Sequence, residues 1–288
     1  MRKISIYIKL GISFVVSLLL AFFIIGNDTS EFVKIILSVA SFLFGILIAF
    51  SIANRHARLN AIKESFKKQD AALLSIYFLS KTFGKAIITK TKDKIDKLLI
   101  SQLDYTLEDI SMSAPQKLKE LYLFLEKIVP KTEVQRETKD KILDLLKELE
   151  EIEKEIDYEI KNRIEMYEWA SVYILGGMVL LCLFWINTGT IISVLIVAFL
   201  SSALVLLLLV LQELENLNWQ EESWALRTSV KLFMELDLVP YLPEQIVIDQ
   251  RINLKKFAEF KELTKIRIGK FPHPYPDLRG KTIKLIKL

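Results

Sequence analysis

"WASVYILGGMVLLCLFWINTGTIISVLIVAFLSSALVLLLLVLQ" runs from Trp169 to Gln212, 44 residues without one charged side chain. A helix needs about 20 apolar residues to cross roughly 30 Å of hydrocarbon. The run is therefore too long for one span and right for two. Asn187, Thr188 and Gly189 break its middle, and Asn and Gly tolerate the dihedrals of a tight turn. Backbone groups cannot be left bare in lipid, so the reading is a helical hairpin with spans at about 169–186 and 190–211.

The same pattern recurs near the N-terminus. "LGISFVVSLLLAFFIIGN" is uncharged from Leu10 to Asn27, and "IILSVASFLFGILIAFSIAN" is uncharged from Ile35 to Asn54. The short polar stretch "DTSEFVK" separates them. This predicts a first transmembrane hairpin in 1–54, with spans at about 6–26 and 33–53. The opening "MRK" resembles a signal peptide, but no small-x-small cleavage site ends the run and a second span follows at once, so a retained span is expected.

Basic residues set the orientation. Arg2, Lys3 and Lys9 precede the first span, and Arg55, Arg58, Lys63, Lys67 and Lys68 follow the second. The hairpin turns hold only Lys34. Both termini and the central region are expected in the cytoplasm of a plasma or inner membrane protein, with Arg55, Arg58, Trp169, Trp219 and Trp224 as interface anchors.

The formal net charge of +4 is too small to imply nucleic acid. The single cysteine, Cys182, rules out an internal disulfide, and His56 and His273 have no ligand neighbour at metal-site spacing. No cofactor is expected. Nothing in the chain matches a Gly-rich phosphate loop, an HExxH helix or a nucleophile–base constellation, so an enzyme is not expected.

The cytoplasmic segment 55–168 has apolar residues at helical spacing. One helix is predicted to continue out of the second span to Gly84, another over about 88–108, and a third capped by Ser113 and closed by Pro130. A stalk helix over 134–168 follows, free of Gly and Pro, with Ile142, Leu145, Leu149, Ile152 and Ile156 along one face. It is expected to run unbroken into the third span. Its stripe suits either the neighbouring helices or a coiled coil with another subunit, and the first is the simpler expectation.

Residues 213–288 read as a cytoplasmic amphipathic helix ended by Pro240 and a basic tail. Glu213 and Glu215, with Glu221 and Glu222, suit either a cation-attracting vestibule or a solvated face. From Arg251 onward there are eleven Lys or Arg against three acids, and "KIRIGKF" and "KTIKLIKL" alternate with the strand period. A small two-stranded unit is predicted, docked on anionic lipid or on the acidic helix. The fold class is thus an all-α membrane protein of two transmembrane hairpins, a helical cytoplasmic domain and a β-containing tail.

No ionisable group lies mid-span, which argues against proton-coupled transport. It leaves open a pore lined by hydroxyls and apolar groups. Ser41, Gly45, Ala49 and Ala53 recur by four in the second span with Ser38 before them, and Ser13, Ser17 and Ala21 do so in the first. The simpler expectation is that these two small faces pack on each other. The sharper one is a narrow pore gated by Phe42, Phe44 or Phe50.

"RLNAIKES" after the second span, "EIKNRIEMYEW" before the third, "LQELENLNW" after the fourth, and "LFMELDLVPYLPEQIV" beyond it resemble the bestrophin-like four-span membrane proteins. Bestrophins are pentameric, calcium-gated anion channels with an aromatic pore neck. The resemblance implies a homo-oligomer and a channel-like activity, although no acidic calcium clasp is assignable here. The leading expectation is therefore a pore-forming subunit. The alternative is a membrane-anchored scaffold whose cytoplasmic helices bind a protein partner.

Overall fold

The long charge-free runs and the charged segments between them sort into separate bodies. In the computed structural model, which describes residues 6–26, 31–104, 114–217, 226–244, 264–273 and 277–287, the chain divides into two units. The first takes residues 1–59 and 163–219, and the second takes 60–162 and 220–288. Trp219, Trp224, Glu221, Glu222 and Ser113, singled out above, lie outside the described residues.

In the first unit the apolar runs form helix α1 (Ile6–Phe23), the leading part of α2 (Glu31–Ser80), α6 (Met166–Trp185) and α7 (Ile191–Glu215). Three helical stretches are long and apolar enough to cross a membrane: Glu31–Phe83, Glu133–Trp185 and Ile191–Glu215. Helix α1 is apolar but shorter, at 18 residues. Its main neighbour is α7. Phe44, Ile48, Val172, Val179, Val197 and Leu204 form part of the buried cluster. Gly176 sits where a Cβ would come within 3.3 Å of the Phe44 ring.

The turn between α6 and α7 is built around Asn187, which has no exposed surface. Its Nδ2 donates to the carbonyls of Ala21 at 2.6 Å and Ile24 at 2.8 Å, two acceptors at the open end of α1. Its Oδ1 accepts from the Gly189 amide at 3.2 Å and the Ser193 hydroxyl at 3.0 Å, and its carbonyl accepts from Gly26 N at 2.8 Å. Gly189 is at φ 73, a conformation that costs glycine nothing. Thr190 then caps α7 through the Ser193 amide.

The second unit holds the trailing part of α2, a 3-10 turn (Lys81–Phe83), α3 (Lys85–Leu103), α4 (Ala114–Glu126), α5 (Glu133–Lys161), α8 (Leu226–Glu235) and a small sheet. Gly84, at φ 93, ends the run begun by α2, where the sequence expected an end. Helix α3 closes earlier than expected, at Leu103, and α4 closes at Glu126, before Pro130. Thr132 caps α5 by accepting from the Gln135 amide. Its buried stripe is Ile142, Leu146, Leu149, Ile152, Ile156 and Ile160, so the stalk packs within its own chain. Leu146 rather than Leu145 takes the buried position.

The stalk does not run on into the third span. Helix α5 ends at Lys161, residues 162–165 are not helical, and α6 starts at Met166. No Gly or Pro marks the break; within it the Ile164 amide donates to Glu215, described below. The fourth hydrophobic helix in turn runs on to Glu215, while the described part of the predicted amphipathic helix is α8.

The tail forms three strands, not two: β1 (Tyr241–Pro243), β2 (Lys265–Lys270) and β3 (Thr282–Lys287), in the order β1-β2-β3. Strands β2 and β3 are antiparallel with Lys265 opposite Lys287, and β1 joins β2 in parallel with Tyr241 opposite Arg267. Three residues, preceded by Pro240 and ending on Pro243, leave no alternation to read, so β1 was invisible in the sequence. The sheet is anchored on α3. Arg267 makes a two-pronged pair with Asp96, at 2.7 and 2.5 Å. Asp104 accepts from Tyr241 Oη and from Lys281 Nζ. Asp96 and Asp104 thus supply the counter-charge that the sequence reading sought in lipid or in the acidic helix.

Candidate functional site

Two features stand out in the first unit, and both lie on α2. The first is its small-residue face. Ser38, Ser41, Gly45, Ala49 and Ala53 are all exposed, and all but Ser38 border a shallow groove of about 660 Å³ together with Phe42 and Phe50. Nothing lies within 4 Å of the point a Gly45 Cβ would occupy. The uncovered faces of α1 and α7 are different in kind, being made of large side chains such as Val15, Leu19, Ile196 and Phe199. Small side chains on an uncovered helix face allow close approach of another backbone and gain little from lipid contact.

The expected pairing of this face with the small face of α1 is not what the fold uses. Ser17 and Ala21 are buried, yet α1 lies along α7 rather than α2. Of the three phenylalanines considered as gates, Phe44 points into the core at 5% exposure, whereas Phe42 and Phe50 are each 67% exposed. The period of α2 accounts for this: Ala40, Phe44 and Ile48 make the buried stripe, about 100° round the helix from the small one.

The second feature is a buried cluster of charge where α2 meets α7. Glu215 Oε2 lies 3.3 Å from Arg55 Nη1 and 3.5 Å from Arg58 Nη1. Arg58 also donates to the Glu215 carbonyl at 3.1 Å. The second carboxylate oxygen accepts the Ile164 amide at 2.8 Å. All three side chains are almost fully enclosed, with Arg55 at 8%, Arg58 at 4% and Glu215 at 8% exposure. A buried carboxylate between two guanidiniums is held by charge-assisted hydrogen bonds, and removing one partner of such a group is far costlier than losing a surface pair.

The sequence reading placed Arg55 and Arg58 as interface anchors and Glu213 and Glu215 in a vestibule. The structure gives these residues to one another or to other partners. Glu215 is locked between the arginines, and Glu213 pairs with Lys9 at 2.7 Å. Trp169 stacks on Tyr173, with ring centroids 5.3 Å apart and planes 18° from parallel. Sequence reasoning missed Asn187 as more than a turn former and missed the Ile164 amide altogether. For Asn187 a signal existed, since it is the only Asn or Gln between Trp169 and Leu211. For Ile164 there was none. Among the described residues no three His, Cys, Asp or Glu side chains gather as metal ligands.

The long apolar helices, their charge-free interiors and the buried ion cluster at one end define the class of molecule as a helical integral membrane protein. A family model, the Bestrophin-like domain, matches residues 8–217. The chain belongs to the bestrophin-like family, a membrane channel-like group rather than an enzyme family. No curated protein and no solved structure matches the chain.

Proposed function

We propose that the protein is a pore-forming subunit of a homo-oligomeric, ion-conducting assembly, with four spans made by α1, α2, α6 and α7 and with both termini cytoplasmic. Membership of a channel-like family supports the class of activity, and the excess of Lys and Arg beside 2–9 and 55–68 supports the orientation. The observation that carries the reading is the uncovered small-residue face of α2. In a ring of copies, Ser38, Ser41, Gly45, Ala49 and Ala53 line the conduit, and Phe42 and Phe50 narrow it as apolar constrictions that gate by excluding water. The Arg55–Glu215–Arg58 cluster ties α2 to α7 just beyond the charge-free stretch of α2, so that the lining helix is held from behind. Helices α1 and α7 offer their large uncovered side chains to lipid.

The test is substituted-cysteine accessibility in a Cys182→Ala background, in membranes, with a charged thiol reagent. Cysteines at 41, 45, 49 and 53 are expected to react, while cysteines at 196 and 200 on α7 stay unmodified. Equal silence at all six positions, or a particle mass of one chain, contradicts the proposal and turns attention to a scaffold role for the cytoplasmic helices.

A further inference from the structure

The second unit contains a cleft of about 760 Å³ between α3, α4 and α5. That volume lies within the range of small-molecule sites, which are mostly apolar with a few placed polar groups. Its apolar walls come from Leu118, Tyr122 and Leu123 of α4 and Leu146 of α5, and Gln102 of α3 closes one side. Three carboxylates of α5 face it: Glu150, Glu153 and Asp157.

Two of the three are already matched. Glu150 pairs with Lys154 at 2.9 Å, and Asp157 pairs with Lys161 at 2.6 Å. Glu153 is the exception. Its Oε1 is buried and meets no hydrogen-bond donor among the described residues. An unsatisfied buried oxygen of a carboxylate costs more than the hydrogen bond it lacks, and a native protein seldom keeps one without a reason. The Lys119 ammonium of α4 is the remaining charged group lining the cleft.

We propose that this cleft binds an amphiphilic organic amine, with the ammonium donating to Glu153 and the apolar body lying against Leu118, Tyr122 and Leu146. An ammonium supplies both the donor and the charge that Glu153 lacks, and the walls supply the burial for a hydrocarbon or aryl body. An anionic ligand would meet three carboxylates, two of them closed by their own lysines, and would leave the Glu153 oxygen unmet. The site lies wholly in the second unit and does not rest on the pore reading.

Binding is linked to protons. Burial, and then the charge of Glu150, push the Glu153 carboxyl up to about 7. Lys119, Lys154 and Lys161 line the same cleft with the opposite sign, and Asp157 with the same sign. Only the ionised carboxylate attracts the amine, which itself stays protonated throughout because alkylamines titrate near the lysine value. Affinity for the amine is therefore expected to rise about tenfold between about pH 6 and about pH 8.

The experiment is calorimetry of the full chain in lipid nanodiscs with 4-phenylbutylamine, and with 4-phenylbutanol as the uncharged isostere. The amine is expected to bind about tenfold or more tightly than the alcohol, a difference equal to one good charge-assisted contact. Glu153→Gln is expected to abolish that preference without lowering the melting temperature, because the substitution removes a buried charge while keeping the shape. Glu151→Gln, on the exposed side of α5, is expected to leave it intact. No binding of either probe, equal binding of both, or an amine preference unchanged in Glu153→Gln overturns the proposal.

Discussion

Glu215 Oε1 accepts the amide of Ile164 at 2.8 Å, so the last residue of α7 holds the break that separates α5 from α6. The other oxygen of the same carboxylate binds Arg55 and Arg58 of α2. One side chain thereby ties together the end of one helix, the flank of a second and the start of a third. The cost of exposing an amide in a break without Gly or Pro is met by a buried carboxylate.

Glu215→Ala is expected to be severe, because it takes the shared counter-charge from two buried guanidiniums and the acceptor from Ile164. A loss of about 3–5 kcal/mol is expected from the breaking of a buried ion cluster. Glu215→Gln, which still offers an acceptor to Ile164, is expected to lose less. Thermal unfolding of the detergent-solubilised protein ranks the two; equal stability of Glu215→Ala and wild type would remove the cluster from the architecture.

Asn187→Ala is expected to weaken the hairpin from the opposite end. It strips the donors from the Ala21 and Ile24 carbonyls, each left unsatisfied at about 1–3 kcal/mol. Gly26→Ala acts at the same place, because an added Cβ would overlap the Trp185 carbonyl. Both variants are read by the yield of folded protein and by proteolysis near residue 26. Asn187→Asp is expected to be no better than the alanine, since a carboxylate donates nothing to either carbonyl.

Stability is expected to decline between about pH 5 and about pH 7 through Glu153 and Asp70. Burial raises both carboxyls to about 7, with Glu150 adding to the first and Glu235 to the second. The folded state then holds more protons than the unfolded one over this window, so unfolding free energy falls as pH rises through it and levels off above the raised values. Glu153→Gln is expected to flatten the decline. A pH-melting series on both proteins measures it, and a rise in stability over that range would contradict the assignment.

Arg267→Ala is expected to loosen the tail sheet from α3, because it removes both prongs of the Asp96 pair and the bond to the Val239 carbonyl. Amide exchange in 265–270 and 282–287 is expected to quicken by about tenfold or more, given the worth of a partly buried bidentate pair, while 142–160 stays protected. Asp96→Asn is expected to act in the same direction and more weakly.

The membrane-compatible runs, the end of the second helix at Gly84 and the strands β2 and β3 were legible in the sequence, because each rests on local composition or period. The small-residue face of α2 was legible for the same reason. That no helix of the described chain covers it was not, since partner choice among α1, α2, α6 and α7 depends on contacts far apart along the chain, such as Phe44 against Gly176. The break at 162–165 was hidden because the acceptor of its Ile164 amide, Glu215, sits some fifty residues away. Counting Glu213 and Glu215 as one acidic patch also missed that one pairs with Lys9 and the other is enclosed. Charge read along a chain does not reveal which charges are already matched.

Ion flux through the purified protein in liposomes, with wild type beside Gly45→Leu, decides whether α2 lines a conduit. The Leu side chain has room in the isolated chain, where nothing approaches the Gly45 position, so folding and particle mass are expected to be unchanged. If α2 lines a conduit shared by several copies, flux is present in wild type and is reduced at least about tenfold by leucines converging on the axis. Wild-type flux that Gly45→Leu leaves untouched, or a well-folded wild type that conducts nothing, rules out a conduit lined by α2.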